Sequence, residues 1–239
     1  MKNKHYKGNE QTKSLEKRRD EGRKYKVDLT ILQKFHLLST NKAYAYLLLA
    51  AFFRFAGGYS LGFWCKKYFS SVYPEYQDQF ALGYFIVLTC GSVPSELIGG
   101  YLTDKFEGDY PRIKGHLSAA GAAIGAIFIV FSILIKSGFW IQLICLYFEF
   151  LFAEVFFGPS YAQINKIVQP QIQGLAVAIF MLVGAMSGSL ATFVLGCLGD
   201  LYEIEKYPDT LGKLLGSAVL VSYLGCIPFF LKNAEEYAK

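Results

Sequence analysis

The chain is short of charge, histidine and paired cysteine, and it lacks every common catalytic signature. Charged residues make up 18 % of its 239 positions, against about 25 % in an average soluble domain. The three histidines, His5, His36 and His116, have no metal-ligand spacing. The five cysteines form no C-x-x-C pair and are odd in number. They read as small hydrophobes within apolar segments, not as disulfides or metal ligands. There is no glycine-rich phosphate loop, nucleophile elbow or zinc motif. These absences argue against an ATP-driven pump, a metal site, a bound cofactor and an integral-membrane enzyme. The first 42 residues contain no apolar core of a signal peptide, so the first spanning helix is the expected insertion signal.

Long apolar runs are what the sequence does have. Hydrophobic residues reach 53 %, and from Ala43 onward they fall into six runs of about twenty residues, enough to cross a hydrocarbon core about 30 Å thick. The expected spans are 43–65, 80–102, 115–136, 138–160, 174–198 and 211–231. This predicts an all-α integral membrane bundle at 43–232, with a basic tail or linker at 1–42 and a short tail at 233–239. An even number of spans puts both ends on one side. That side carries eighteen Lys/Arg and the other carries five, so the basic bias predicts that both termini are cytoplasmic. The tail segment "KSLEKRRDEGRKYK" (13–26) reads as solvated, with attraction for anionic lipid and no reason to bind nucleic acid.

The chain also contains a short repeat. The second span ends Gly100-Tyr-Leu102-Thr-Asp104 and the fifth ends Gly196-Cys-Leu198-Gly-Asp200, both G-x-L-x-D, 96 residues apart. Each span is the middle of three, so the second triplet must run upside down relative to the first. Two inverted three-helix repeats are a common plan for secondary transporters. Small residues four apart, Gly121 with Gly125 and Gly184 with Gly188, fit closely packed helices.

The segment "GGYLTDK" (99–105) resembles the loop motif of the major facilitator superfamily, matching it at Gly100, Leu102, Asp104 and Lys105. Residues 156–200 resemble the tenth and eleventh helices of spinster-like members. The resemblance implies a carboxy-terminal six-helix half of a twelve-helix secondary transporter. It also implies a second six-helix half, either upstream in a longer protein or in a homodimer partner. By the same resemblance, Gly99 and Gly100 allow close helix contact and Asp104 forms a cytoplasmic gate with Lys105 and further basic residues. The loop "FEGDYPRIKG" is longer than the family pattern, so either Arg112 or Lys114 could supply the second base.

Four ionisable residues fall within the predicted spans, where an unpartnered charge costs a few kcal/mol (about 3). Arg54 lies near the middle of the first span and suits either an anionic group or an ion pair with a glutamate of the fourth span. Glu149 and Glu154 lie in that fourth span, about 140° apart on an ideal helix, so they are not expected to share one cavity. Burial raises a carboxylate's pKa, so either could carry a proton. Glu96 follows Pro94 and shares a face with Gly100 and Asp104, which favours a structural role at the inner gate over contact with the solute. Taken with the resemblance, which implies alternating-access transport and a lipid-like solute, these residues predict a small organic solute, with Arg54 suiting an anionic one. The rival reading is a non-transporting subunit or scaffold of a larger membrane complex.

Overall fold

A computed structural model describes residues 30–204 and 207–239. Most of the basic tail, and Lys206 among the residues counted on the opposite side, lie outside the described residues. Residues up to Leu37 form one unit and Leu38–Lys239 the other. The described part of the first unit opens α1 (Ile31–Thr40). Its first turn is a capping box: the Thr30 amide donates to Gln33 Oε1 (2.9 Å) and the Gln33 amide donates to Thr30 Oγ1 (3.4 Å).

Six helices of the second unit are long and apolar enough to cross a membrane: α2 (Lys42–Val72), α3 (Pro74–Phe106), α4 (Ile113–Leu134), α5 (Phe139–Ile167), α6 (Gln173–Leu201) and α7 (Pro208–Tyr237). Most outrun their apolar runs. Backbone hydrogen bonding does not stop where hydropathy falls, so α2 continues through Lys66 and Lys67. Likewise α7 continues to Tyr237, so most of the segment read as a tail at 233–239 is helix, with Asn233 and Ala234 buried.

Helix contacts follow a two-fold pattern. α2 packs on α7 and α6, α5 packs on α4 and α3, and α4 packs on α7. Exchanging α2 with α5, α3 with α6 and α4 with α7 maps these pairs onto one another. α3 and α6 are the least buried of the six. Where the pairs meet, glycine sets the distance. A Cβ at Gly121 would lie 2.5 Å from the Phe152 carbonyl oxygen, and one at Gly125 would lie 2.7 Å from the Ala153 Cβ. Gly184 takes the ring of Phe55, and Gly188 that of Tyr59.

The main irregularity of α3 has a local cause. Pro94 has no amide hydrogen and its ring collides with the carbonyl four residues back, which is that of Cys90. α3 widens to a π-turn at Val87–Ser92, and the Tyr147 hydroxyl donates to the Cys90 carbonyl (3.3 Å). α4 likewise ends in a π-turn at Val130–Leu134, which leaves carbonyls without helical donors. Tyr68 donates to the Ile133 carbonyl (3.1 Å) and Gln142 Nε2 to that of Ile135 (2.9 Å). Gly138 turns the chain into α5 at a φ of 95°, a conformation suited to glycine.

Candidate functional site

Arg54 sits one turn before Gly58 on α2 and is 1 % exposed. A Cβ at position 58 would lie 3.0 Å from Arg54 Nη1, so glycine leaves space for the guanidinium. Arg54 Nη2 donates to Glu154 Oε1 (3.1 Å) and Nε donates to the Ala153 carbonyl (3.3 Å). The Tyr223 ring, 4.2 Å from the guanidinium carbon, and the Phe156 ring, 4.9 Å away, pack against it. Of the two roles open to Arg54, the structure shows the ion pair with the fourth span. An arginine held this way is stacked, paired and desolvated.

Glu149 and Glu154 are both buried. The stretch between them is regular α-helix, with a 3-10 turn starting at Glu154, and the two acids take different partners. Glu154 takes Arg54, while Glu149 Oε1 accepts a hydrogen bond from the Tyr223 hydroxyl (2.5 Å). The second oxygen of Glu149 is buried without a hydrogen-bond partner. Tyr223 therefore joins the two acids through the arginine, with its hydroxyl on Glu149 and its ring on Arg54. Nothing in the sequence singled out Tyr223. Its one signal is an aromatic polar group within an apolar run that carries glycines on both facing helices. Cβ atoms at Gly57 and Gly125 would lie 2.8 and 3.3 Å from its ring.

A cavity of about 250 Å³ opens beside this cluster, lined by Arg54, Phe55, Tyr59, Glu96, Glu154 and Phe157 among others. Glu96 thus lines the Arg54 cavity, while its backbone packs with that of Gly100 against Gly158 of α5. A larger groove of about 590 Å³ runs between α2 and α6 past Phe63, Trp64, Phe193 and Asp200. Its lining is more apolar, and it shares only Tyr59 with the smaller cavity. We take the smaller cavity as the site because the buried charges are there.

A second cluster forms at the end where α3 closes and α4 begins. Gly99 and Gly100 bring α3 against α5: a Cβ at Gly99 would strike the Val155 carbonyl, and Gly158 faces Gly100. Beyond them Asp104 is exposed, 4.0 Å from the buried Lys114 Nζ. The main acid here is Glu107, which sequence reasoning passed over. Lys114 Nζ lies 2.9 Å from its Oε1, and Lys166 and the Tyr237 hydroxyl also donate to it. Desolvation pushes the Glu107 carboxyl up, but the hydrogen bonds from Lys166, Tyr237 and Lys114 outweigh it and hold the carboxyl at about 2. Between the two bases left open by the sequence, the structure puts Lys114 at the acids, and Arg112 is exposed. Lys105 lies over the rings of Tyr101 and Phe106, at 5.9 and 5.4 Å. Lys114 could have been suspected as a lone cation at the head of an apolar helix, but Glu107 looks like any loop acid.

Six membrane-length helices with charges buried among them beside a cavity suit a membrane transport protein. The profile of the Major Facilitator Superfamily matches residues 5–192, and the chain belongs to this family. The fold is similar to the crystal structure of a bacterial homolog of the human lysosomal transporter Spinster, in an inward-facing, unoccupied conformation. The TM-score is 0.61 at 17 % identity, over 87 % of this chain and 49 % of that one. An MFS-type efflux pump of Mycolicibacterium smegmatis is 28 % identical over 98 residues, which are 39 % of this chain and 23 % of the pump. The chain thus spans less than half of each protein it matches here.

Proposed function

We propose that this chain is one six-helix half of a secondary transporter that moves a small amphipathic organic solute by alternating access. The observation that carries this reading is the buried Arg54–Glu154–Glu149–Tyr223 cluster opening onto a midplane cavity. Intramembrane ionisable groups are costly and mark solute or proton pathways. One guanidinium faces two carboxylates, so a single proton on the acids balances the cluster. Glu149 is the group placed to carry it, since Arg54 is committed to Glu154. An anionic solute would have to compete with Glu154 for Arg54, whose Nε and Nη2 are already engaged by α5.

The Glu107–Lys114 knot keeps this half rigid while it rocks against a second six-helix body, in a longer polypeptide or a second copy. The basic excess at the end holding Asp104 and Lys114 supports a cytoplasmic location for that end.

Proteoliposomes carrying an inward proton gradient test this reading with a panel of radiolabelled amphipathic amines, ammonium compounds and carboxylates. Accumulation of at least one solute, lost in Arg54→Ala and in Glu154→Gln, is the expected result. Full accumulation by Arg54→Ala would refute the site. No accumulation of any solute, with either gradient direction, would favour the scaffold role.

A further inference from the structure

The charge balance of the cavity points to the sign of the solute. Its lining holds one base, Arg54, and two acids, Glu96 and Glu154. A third acid, Glu149, is tied to the same arginine through Tyr223. Arg54 is largely committed to α5. Its Nε and Nη2 are hydrogen bonded there, rings pack against the guanidinium, and its side chain is 2 % exposed, with Nη1 left beside Gly58. Glu154 is spent on Arg54. Glu96 is different: it is half-buried, lines the cavity, and makes no hydrogen bond or ion pair through its carboxyl with any described residue. An entering anion would meet this free acid first and a buried, paired cation second. An entering cation would meet a counter-ion with no other partner.

The remaining wall is aromatic. Phe55 meets Phe157 and Phe156 edge to face, at 5.4 and 5.7 Å, and Tyr59 at 6.1 Å. Aromatic walls beside a carboxylate suit ammonium and quaternary ammonium groups, which gain from ring quadrupoles and are cheaper to desolvate than a primary charge in open hydrocarbon. We infer that the cavity takes the positively charged head of an amphipathic solute, an amine or quaternary ammonium. Glu96 is its counter-ion, and Phe55, Tyr59 and Phe157 are its walls. The inference rests on the cavity being the solute site and sets the solute's charge.

Two probes of similar size and opposite charge, benzyltrimethylammonium and benzenesulfonate, decide the sign by equilibrium dialysis against the full chain in nonionic detergent. Saturable binding of the ammonium probe, at least tenfold tighter than the sulfonate, is expected. Glu96→Gln should weaken ammonium binding tenfold or more, and Glu96→Asp, which keeps the charge, should weaken it less. Should Glu96→Gln fail to give a helical, monodisperse protein, Glu96→Asp and Tyr59→Ala carry the test, each with a several-fold loss expected. Sulfonate binding as tight as ammonium, or ammonium binding indifferent to Glu96, would overturn the inference and leave the transport site standing. Saturable binding of neither probe would overturn both.

Discussion

Replacing Glu107 with glutamine is the sharpest test of the knot that joins α3, α4, α5 and α7. The carboxylate has three donors, and they differ in worth. Lys166 is half-exposed, and a pair with an exposed lysine contributes about 0–1 kcal/mol. Tyr237 can still donate to a glutamine carbonyl. Lys114 decides the magnitude, because its side chain is 0 % exposed and its only other acid, Asp104, is 4.0 Å away and largely in solvent. Removing one member of a buried ion pair costs about 3–5 kcal/mol, because the other charge is left uncompensated. Asp104 can swing inward and recover part of this, so Glu107→Gln should lose about 2–4 kcal/mol. Unfolding in mixed dodecylmaltoside–SDS micelles, followed by circular dichroism, reads the loss. Lys114→Met removes the stranded charge, so the double variant should be more stable than Glu107→Gln alone, with a coupling of about 1.5 kcal/mol or more. A Glu107→Gln protein within about 0.5 kcal/mol of the parent, or strictly additive effects, would refute the reasoning.

Acid should act on the same knot. The folded carboxyl of Glu107 titrates at about 2, below the unfolded value of about 4.3. Its contribution is therefore complete above about pH 4.3 and lost as pH falls through about 2. Acid titration of helicity should show a step over that range that Glu107→Gln lacks, while the pH profile of transport near neutrality stays unchanged in this variant. Gly99→Ala should push α3 off α5 and cost about 1–3 kcal/mol, whereas Gly62→Ala, with nothing within 4 Å of the new methyl, should be neutral or stabilising in the same micelle assay. Tyr223→Phe strips the one hydrogen bond from Glu149, and stability should drop by about 1–3 kcal/mol. An unchanged unfolding midpoint would show that Glu149 finds another donor.

The bundle was legible because hydrophobic length is a direct consequence of crossing a bilayer, and the G-x-L-x-D pair marked the middle helix of each triplet. Span ends were less legible. Lys66 and Lys67 lower local hydropathy without disturbing the backbone ladder of α2, so the helix runs past them. The charged residues Arg54, Glu149 and Glu154 were conspicuous in apolar runs, but their pairing was not. Which acid takes Arg54 is decided by the facing helices, since Tyr223 of α7 holds Glu149. Glu96 does share the regular helical stretch of Gly100 and Asp104, and its place in the lining of the Arg54 cavity was not legible because that depends on α2 and α5 across from it. Glu107 and Lys166 are 59 positions apart, and nothing in a single sequence links two such ordinary charges.

The Asn233 side chain donates to the Ala43 carbonyl at 2.8 Å, and Asn41 Nδ2 donates to the Ile167 carbonyl at 3.2 Å. The first span is thus stitched to the last, and its N-cap to the end of α5, at one end of the bundle. Two lengths of chain that emerge side by side can be joined, swapped or lengthened without any segment recrossing the bilayer. A further six-helix body can therefore be fused before α2 or after α7 by a linker that stays on one side. A circular permutant closed across Asn233 and Ala43, with new termini opened in the turn after Glu107, would leave every span in its native direction.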